Sequence, residues 1–159
     1  TGQMTTGLVL GLEVNSGVAL ELAFEADGLL WSGTGLAVPL DDVALVVTRF
    51  GVGERYRFDS FVDLSVDGEP LDVGSVVYEG QSSGLLTPPS ESVRMPAVPF
   101  ASLRSVGAGQ RVYGCIGTDR FGLSVAQVAS LRAWVESLTP RRPRQPVAVT
   151  AAAGLRAAR

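Results

Sequence analysis

Leu8-Val9-Leu10-Gly11-Leu12-Glu13-Val14-Asn15-Ser16-Gly17-Val18-Ala19-Leu20-Glu21-Leu22-Ala23-Phe24-Glu25 (residues 8–25) decides the fold class. Apolar residues occupy positions 8, 10, 12 and 14, and again 18, 20, 22 and 24. Successive side chains of a strand point to opposite faces, so a period of two predicts a strand with one buried face. Asn15-Ser16-Gly17 interrupts the alternation with turn-forming residues, and the whole reads as a β-hairpin.

The same reading extends in both directions. Asp27-Gly28 predicts a turn before Leu29-Leu30-Trp31, and Gly33-Thr34-Gly35 a further break. Residues 42–50 form a more continuous apolar run, as expected of a strand covered on both faces. After the turn Gly51-Val52-Gly53-Glu54, Tyr56, Phe58, Val62, Leu64 and Val66 set against Arg55, Arg57, Asp59, Asp63 and Ser65 predict another strand, closed by Asp67-Gly68. Ser75 to Glu79 predicts a short strand and residues 80–90 a surface loop with Pro88 and Pro89. Pro96 and Pro99 suit an edge strand or extended crossing over 93–106, and 112–116 with 121–123 complete the sheet.

One helix is predicted, over about 124–138. Ser124 with Gln127 three residues later matches a capping box. Val128, Leu131, Val135 and Leu138 fall on one stripe with Trp134 at its margin, and Thr139-Pro140 ends the helix. Pro140-Arg141-Arg142-Pro143-Arg144-Gln145-Pro146 then begins an extended arm, followed by an Ala-rich tail. The expectation is a mostly β, single antiparallel β-barrel or sandwich-like domain over 1–139. One C-terminal α-helix closes it, and an extended basic C-terminal arm over 140–159 follows.

Composition narrows the function classes. The 159 residues include no histidine and one cysteine, Cys115. The commonest general base and metal ligand is therefore missing, and no internal disulfide can form. Cys115 lies in a segment that reads as a strand and is expected to be buried and inert. No apolar run approaches the roughly 20 residues of a membrane-spanning helix, and Thr1 to Thr6 has no signal-peptide pattern. A cytoplasmic protein is the expectation. All 13 cations are arginine; lysine is absent, which points to a GC-rich genome. Residues 1–138 carry all 16 acids and eight arginines, whereas 139–159 carry five arginines (Arg141, Arg142, Arg144, Arg156 and Arg159) and no acid.

Few residues suggest chemistry. Asp59, Asp63 and Asp67 recur at every fourth position, with Glu69 and Asp72 following, but the spacing lacks a calcium-loop pattern and reads as a solvated strand face. The glycine pairs at 33–35, 51–53 and 107–109 lack the lysine and the helix start of a phosphate loop. No catalytic residue, metal site or cofactor is expected. Asp63-Leu64-Ser65-Val66-Asp67-Gly68 resembles the Asp-x-Ser-x-x-Gly element of PilZ domains, β-barrels followed by a helix. That resemblance implies cyclic di-GMP binding, although Arg49, Arg55 and Arg57 lack the spacing of the upstream Arg-x-x-x-Arg element.

The leading expectation is a non-enzymatic structural or interaction subunit of a larger assembly, of the kind found in phage or virion particles. Its arm would dock on a neighbouring subunit or other protein through Arg141, Arg142, Arg144, Arg156 and Arg159. Nucleic acid is disfavoured as a partner, because the body is acidic and no aromatics interleave the arm. A small-ligand-binding β-barrel, PilZ-like in its specific version, is the alternative.

Overall fold

A computed structural model describes residues 2–31, 35–37 and 42–138. The expected hairpin is present and longer than its alternation suggests. Strands β1 (Gly2–Leu12) and β2 (Ala19–Trp31) pair antiparallel from Leu12↔Leu20 out to Gly2↔Leu30. Asp27-Gly28 makes no turn; it runs straight through the ladder opposite Thr5 and Met4. Cross-strand pairing along β1 overrides the local turn preference there.

β3 (Gly35–Ala37) pairs with the end of β2, and β4 (Asp42–Phe50) pairs with its first half. β4 is central, as its continuous apolar run predicts. Beyond it lie β8 (Ser90–Pro99) and β7 (Val77–Ser82), giving one sheet of order β1-β2-β4-β8-β7. The second sheet has the order β10-β9-β5-β6, from β10 (Asp119–Gly122), β9 (Val112–Ile116), β5 (Val62–Val66) and β6 (Glu69–Pro70). These are two open sheets, and the barrel expectation fails. Their inner faces and two helices enclose a single apolar core, which includes Leu22, Leu45, Val93, Leu64 and Ile116.

Two local expectations need correction. The segment 51–61 is a loop, so the strand predicted from Tyr56 begins only at Val62. Residues 93–106 split between β8 and a helix, α1 (Phe100–Ala108). With nine residues, no side-chain cap, Pro99 in front and Gly107 inside, α1 has almost none of the sequence marks of a helix. The prolines nevertheless sit where a sheet tolerates them. Pro96 and Ala97 together face Ala44 at a register shift, beyond the reach of β7, and Pro99 ends the strand.

The second helix, α2 (Val125–Leu138), matches its prediction closely. The capping box forms: Gln127 N donates to Ser124 Oγ at 3.2 Å and Ser124 N donates to Gln127 Oε1 at 2.9 Å. Val128, Leu131, Val135 and Leu138 are all buried, and Trp134 meets Phe24 at a centroid distance of 6.0 Å. Arg132 donates to the Gly107 and Gly109 carbonyls at 2.6 and 3.2 Å, satisfying acceptors at the C-terminal end of α1. No helix among the described residues is long and apolar enough to cross a membrane.

Packing inside the second sheet is close at Gly114. A Cβ there would lie 2.5 Å from Phe121 Cζ and 2.6 Å from Leu64 Cδ2. Gly114→Ala is therefore expected to cost about 1–3 kcal/mol through overpacking, read as a lower urea midpoint at unchanged slope. Unchanged stability would show that the two side chains move aside freely.

Candidate functional site

The polar groups of the body converge on the loop between β4 and β5. Two carboxylates, one on each sheet, are fully buried: Glu91 on β8 and Asp119 on β10. Charged groups almost never lie inside a core unless partnered. Both are partnered through the same dipeptide. Arg55 N and Tyr56 N donate to Glu91 Oε1 and Oε2 at 2.9 and 3.1 Å. The Tyr56 hydroxyl donates to Asp119 Oδ2 at 2.6 Å, and Arg55 Nη2 donates to Asp119 Oδ1 at 2.8 Å.

Further donors complete the network. Arg49 Nε, itself buried, pairs with Glu91 Oε1, and Arg49 Nη2 donates to the Gly53 carbonyl. Tyr78 OH donates to Glu91 Oε2 at 3.4 Å, and Ser16 Oγ donates to Asp119 Oδ1 at 2.7 Å. A carboxylate offers about four acceptor positions. Glu91 and Asp119 spend them on four and three internal donors respectively. Burial and the Asp119 carboxylate push the Tyr56 hydroxyl well above the ordinary tyrosine range. The network is a clamp between the two sheets.

What the clamp presents is the outer part of the loop. Val52 and Phe58 are 84% and 93% exposed. The neighbouring loop, 83–89, carries Leu85 and Leu86, which are essentially bare of protein contact. Gly51 N donates to the Pro89 carbonyl at 2.8 Å and Gln81 Nε2 to the Gly53 carbonyl at 3.5 Å, so the bases of both loops are tied together. Arg57 lies over the Phe58 ring at 5.3 Å and pairs with Glu54 at 2.7 Å.

The residues singled out by the sequence fare variously. Arg141, Arg142, Arg144, Arg156 and Arg159 lie outside the described residues, as does the whole arm. The three acids are exposed but do not share one strand face: Asp59 sits in the loop beside Gly117, Asp63 is on the outer face of β5, and Asp67 lies in the β5–β6 turn. There its carboxylate accepts from Gln110 N and Arg111 N at 2.8–3.2 Å, locking the β5–β6 turn against β9. Among the described residues no group of acids or cysteine is placed to hold a metal. Cys115 is only partly buried; it lines a shallow 300 Å³ depression on the outer face with Asp63, Ser65, Tyr113 and Arg120. No protein family, curated protein or solved structure matches this chain.

Sequence reasoning misses the clamp because Tyr56, Glu91 and Asp119 are far apart along the chain and share no motif. Removing its two acids should have unequal effects. Glu91→Ala strands the buried Arg49 guanidinium and is expected to cost about 3–5 kcal/mol. Asp119→Ala is expected to cost about 1–3 kcal/mol, because Arg55, 42% exposed, can turn to water. Urea unfolding of both variants checks the order. A second expectation concerns alkali. Unfolded Tyr56 releases its proton near pH 10 while the folded residue keeps it, so stability falls as pH rises above about 10. Tyr56→Phe should shrink that alkaline slope while lowering stability at neutral pH.

Proposed function

We propose that the chain is a non-enzymatic structural or interaction subunit of a larger protein assembly. The observation that carries this reading is a set of four exposed apolar side chains, Val52 and Phe58 on one loop and Leu85 and Leu86 on another whose base is bonded to the first. Large apolar side chains are costly to leave in water, and their display on two joined loops supports a surface that a partner covers. The clamp beneath supports the same reading, since it spends buried charge on holding that loop. The basic arm over 140–159 adds a second contact by docking on the acidic body of a neighbour, with Arg141, Arg142 and Arg144 nearest the body in sequence.

Light scattering on the full chain tests this. The wild type should form a species heavier than the product of either variant set: Phe58→Ser with Leu85→Ser and Leu86→Ser, or Arg141→Ala with Arg142→Ala and Arg144→Ala. Both sets should keep the far-UV circular dichroism of the wild type. A mass that neither set changes would overturn the reading.

A further inference from the structure

The described sheets expose several edges, and most are blunted in familiar ways. β7 has six residues, carries Glu79 and has a register shift at Tyr78/Gly80. β6 has two residues, one of them Pro70. The far edge of β10 is occupied by the chain after β1, through the bridge Val14↔Phe121. β1 has none of these devices. Its 11 residues, Gly2-Gln3-Met4-Thr5-Thr6-Gly7-Leu8-Val9-Leu10-Gly11-Leu12, hold no charge and no proline, and among the described residues its only strand partner is β2. Long, uncharged edges of this kind are templates for another strand.

Two contacts show which backbone groups face outward. The Gly11 carbonyl accepts from Gln127 Nε2 on α2, and Asn15 N donates to the Arg120 carbonyl on β10 at 3.3 Å. Both point away from β2, so by the two-residue period the odd-numbered residues of β1 turn their N–H and C=O outward. With Gly11 covered, the groups of β1 left open among the described residues belong to Gln3, Thr5, Gly7 and Val9.

From this edge we infer that a second copy of the chain pairs with β1, antiparallel across a two-fold axis at Thr6. The choice of occupant follows from self-complementarity. In that register Gln3 meets Val9 and Thr5 meets Gly7 in both directions, which satisfies every open group with about eight backbone hydrogen bonds. No charge opposes a like charge, because β1 carries none. The two sheets become one continuous sheet, and the contact is isologous, as most homodimer contacts are. This deepens the interaction reading by naming the partner at one surface, and it does not depend on the loop tips or the arm.

Sedimentation and disulfide trapping on the full chain test it. Val9→Pro removes one outward N–H and leaves the pairing with β2 intact, since Val9 is 59% exposed and edge strands tolerate such a proline. It should sediment as a monomer with unchanged circular dichroism in a background that also carries both the loop-tip and the arm substitutions, where the parent should be a dimer. For trapping, Thr6→Cys is placed in a Cys115→Ser chain. Thr6 faces its own copy as a non-hydrogen-bonded pair with Cα atoms roughly 4.5 Å apart, within disulfide reach. Oxidation should give a covalent dimer, whereas Val9→Cys in the same background should not. A parent that is monomeric at its highest soluble concentration, a Val9→Pro chain that stays dimeric, or linkage by Val9→Cys in place of Thr6→Cys would each overturn the inference. The first of these would leave the loop-tip and arm result standing by itself.

Discussion

The backbone and side chain of Tyr56 join the two sheets, and the rest of the molecule is arranged around that connection. Its amide holds Glu91 in the first sheet while its hydroxyl holds Asp119 in the second. Apolar packing alone would allow the sheets to slide, because dispersion and hydrophobic burial have little directionality. Directed bonds from the amide and hydroxyl of one residue, 1% exposed, fix their relative position. Arg49 and Arg55 then supply one cation for each acid.

Such a device is expensive in desolvation, and replacing buried ion pairs with apolar residues often leaves a protein as stable or more so. Specificity accounts for it better than raw stability does. The loop over 51–61 crosses from one sheet to the other with few apolar anchors; Val52, Phe58 and Phe61 all face solvent. Without bonds to Glu91 and Asp119 that loop would lose its defined path, and the apolar tips would lose their fixed base. The clamp thereby links the core to the surface on which the proposed function rests.

What can be read from the sequence follows physical range. Local signals are legible: the alternation over 8–25, the buried run at 42–50, and the Ser124–Gln127 capping box all act within a few residues. Features set by distant partners are not. Asp27-Gly28 reads as a turn until β1 is laid beside it, and Tyr56 alternates plausibly with its neighbours until Glu91 and Asp119 claim it. Asp67 is solvated as it reads, but nothing local announces its bonds to Gln110 and Arg111, more than forty positions along the chain. Helix α1 carries no side-chain cap at its N-terminus and forms chiefly because Leu103 and Val106 bury against the core. The arginines of the arm are legible as a basic segment, and the apolar loop tips are legible only as residues, since exposure is a tertiary property.

The central claim is that the Tyr56 clamp makes two sheets behave as one cooperative unit, and native-state hydrogen exchange tests it most directly. The amides of Leu22 and Val47 in the first sheet and of Ser65 and Phe121 in the second, all within strand ladders, can be followed together as denaturant is added. The clamp predicts that all four exchange through the same global opening, with one free energy and one denaturant dependence. Exchange of Ser65 and Phe121 through a separate, lower-energy opening, while Leu22 and Val47 stay protected, would contradict it.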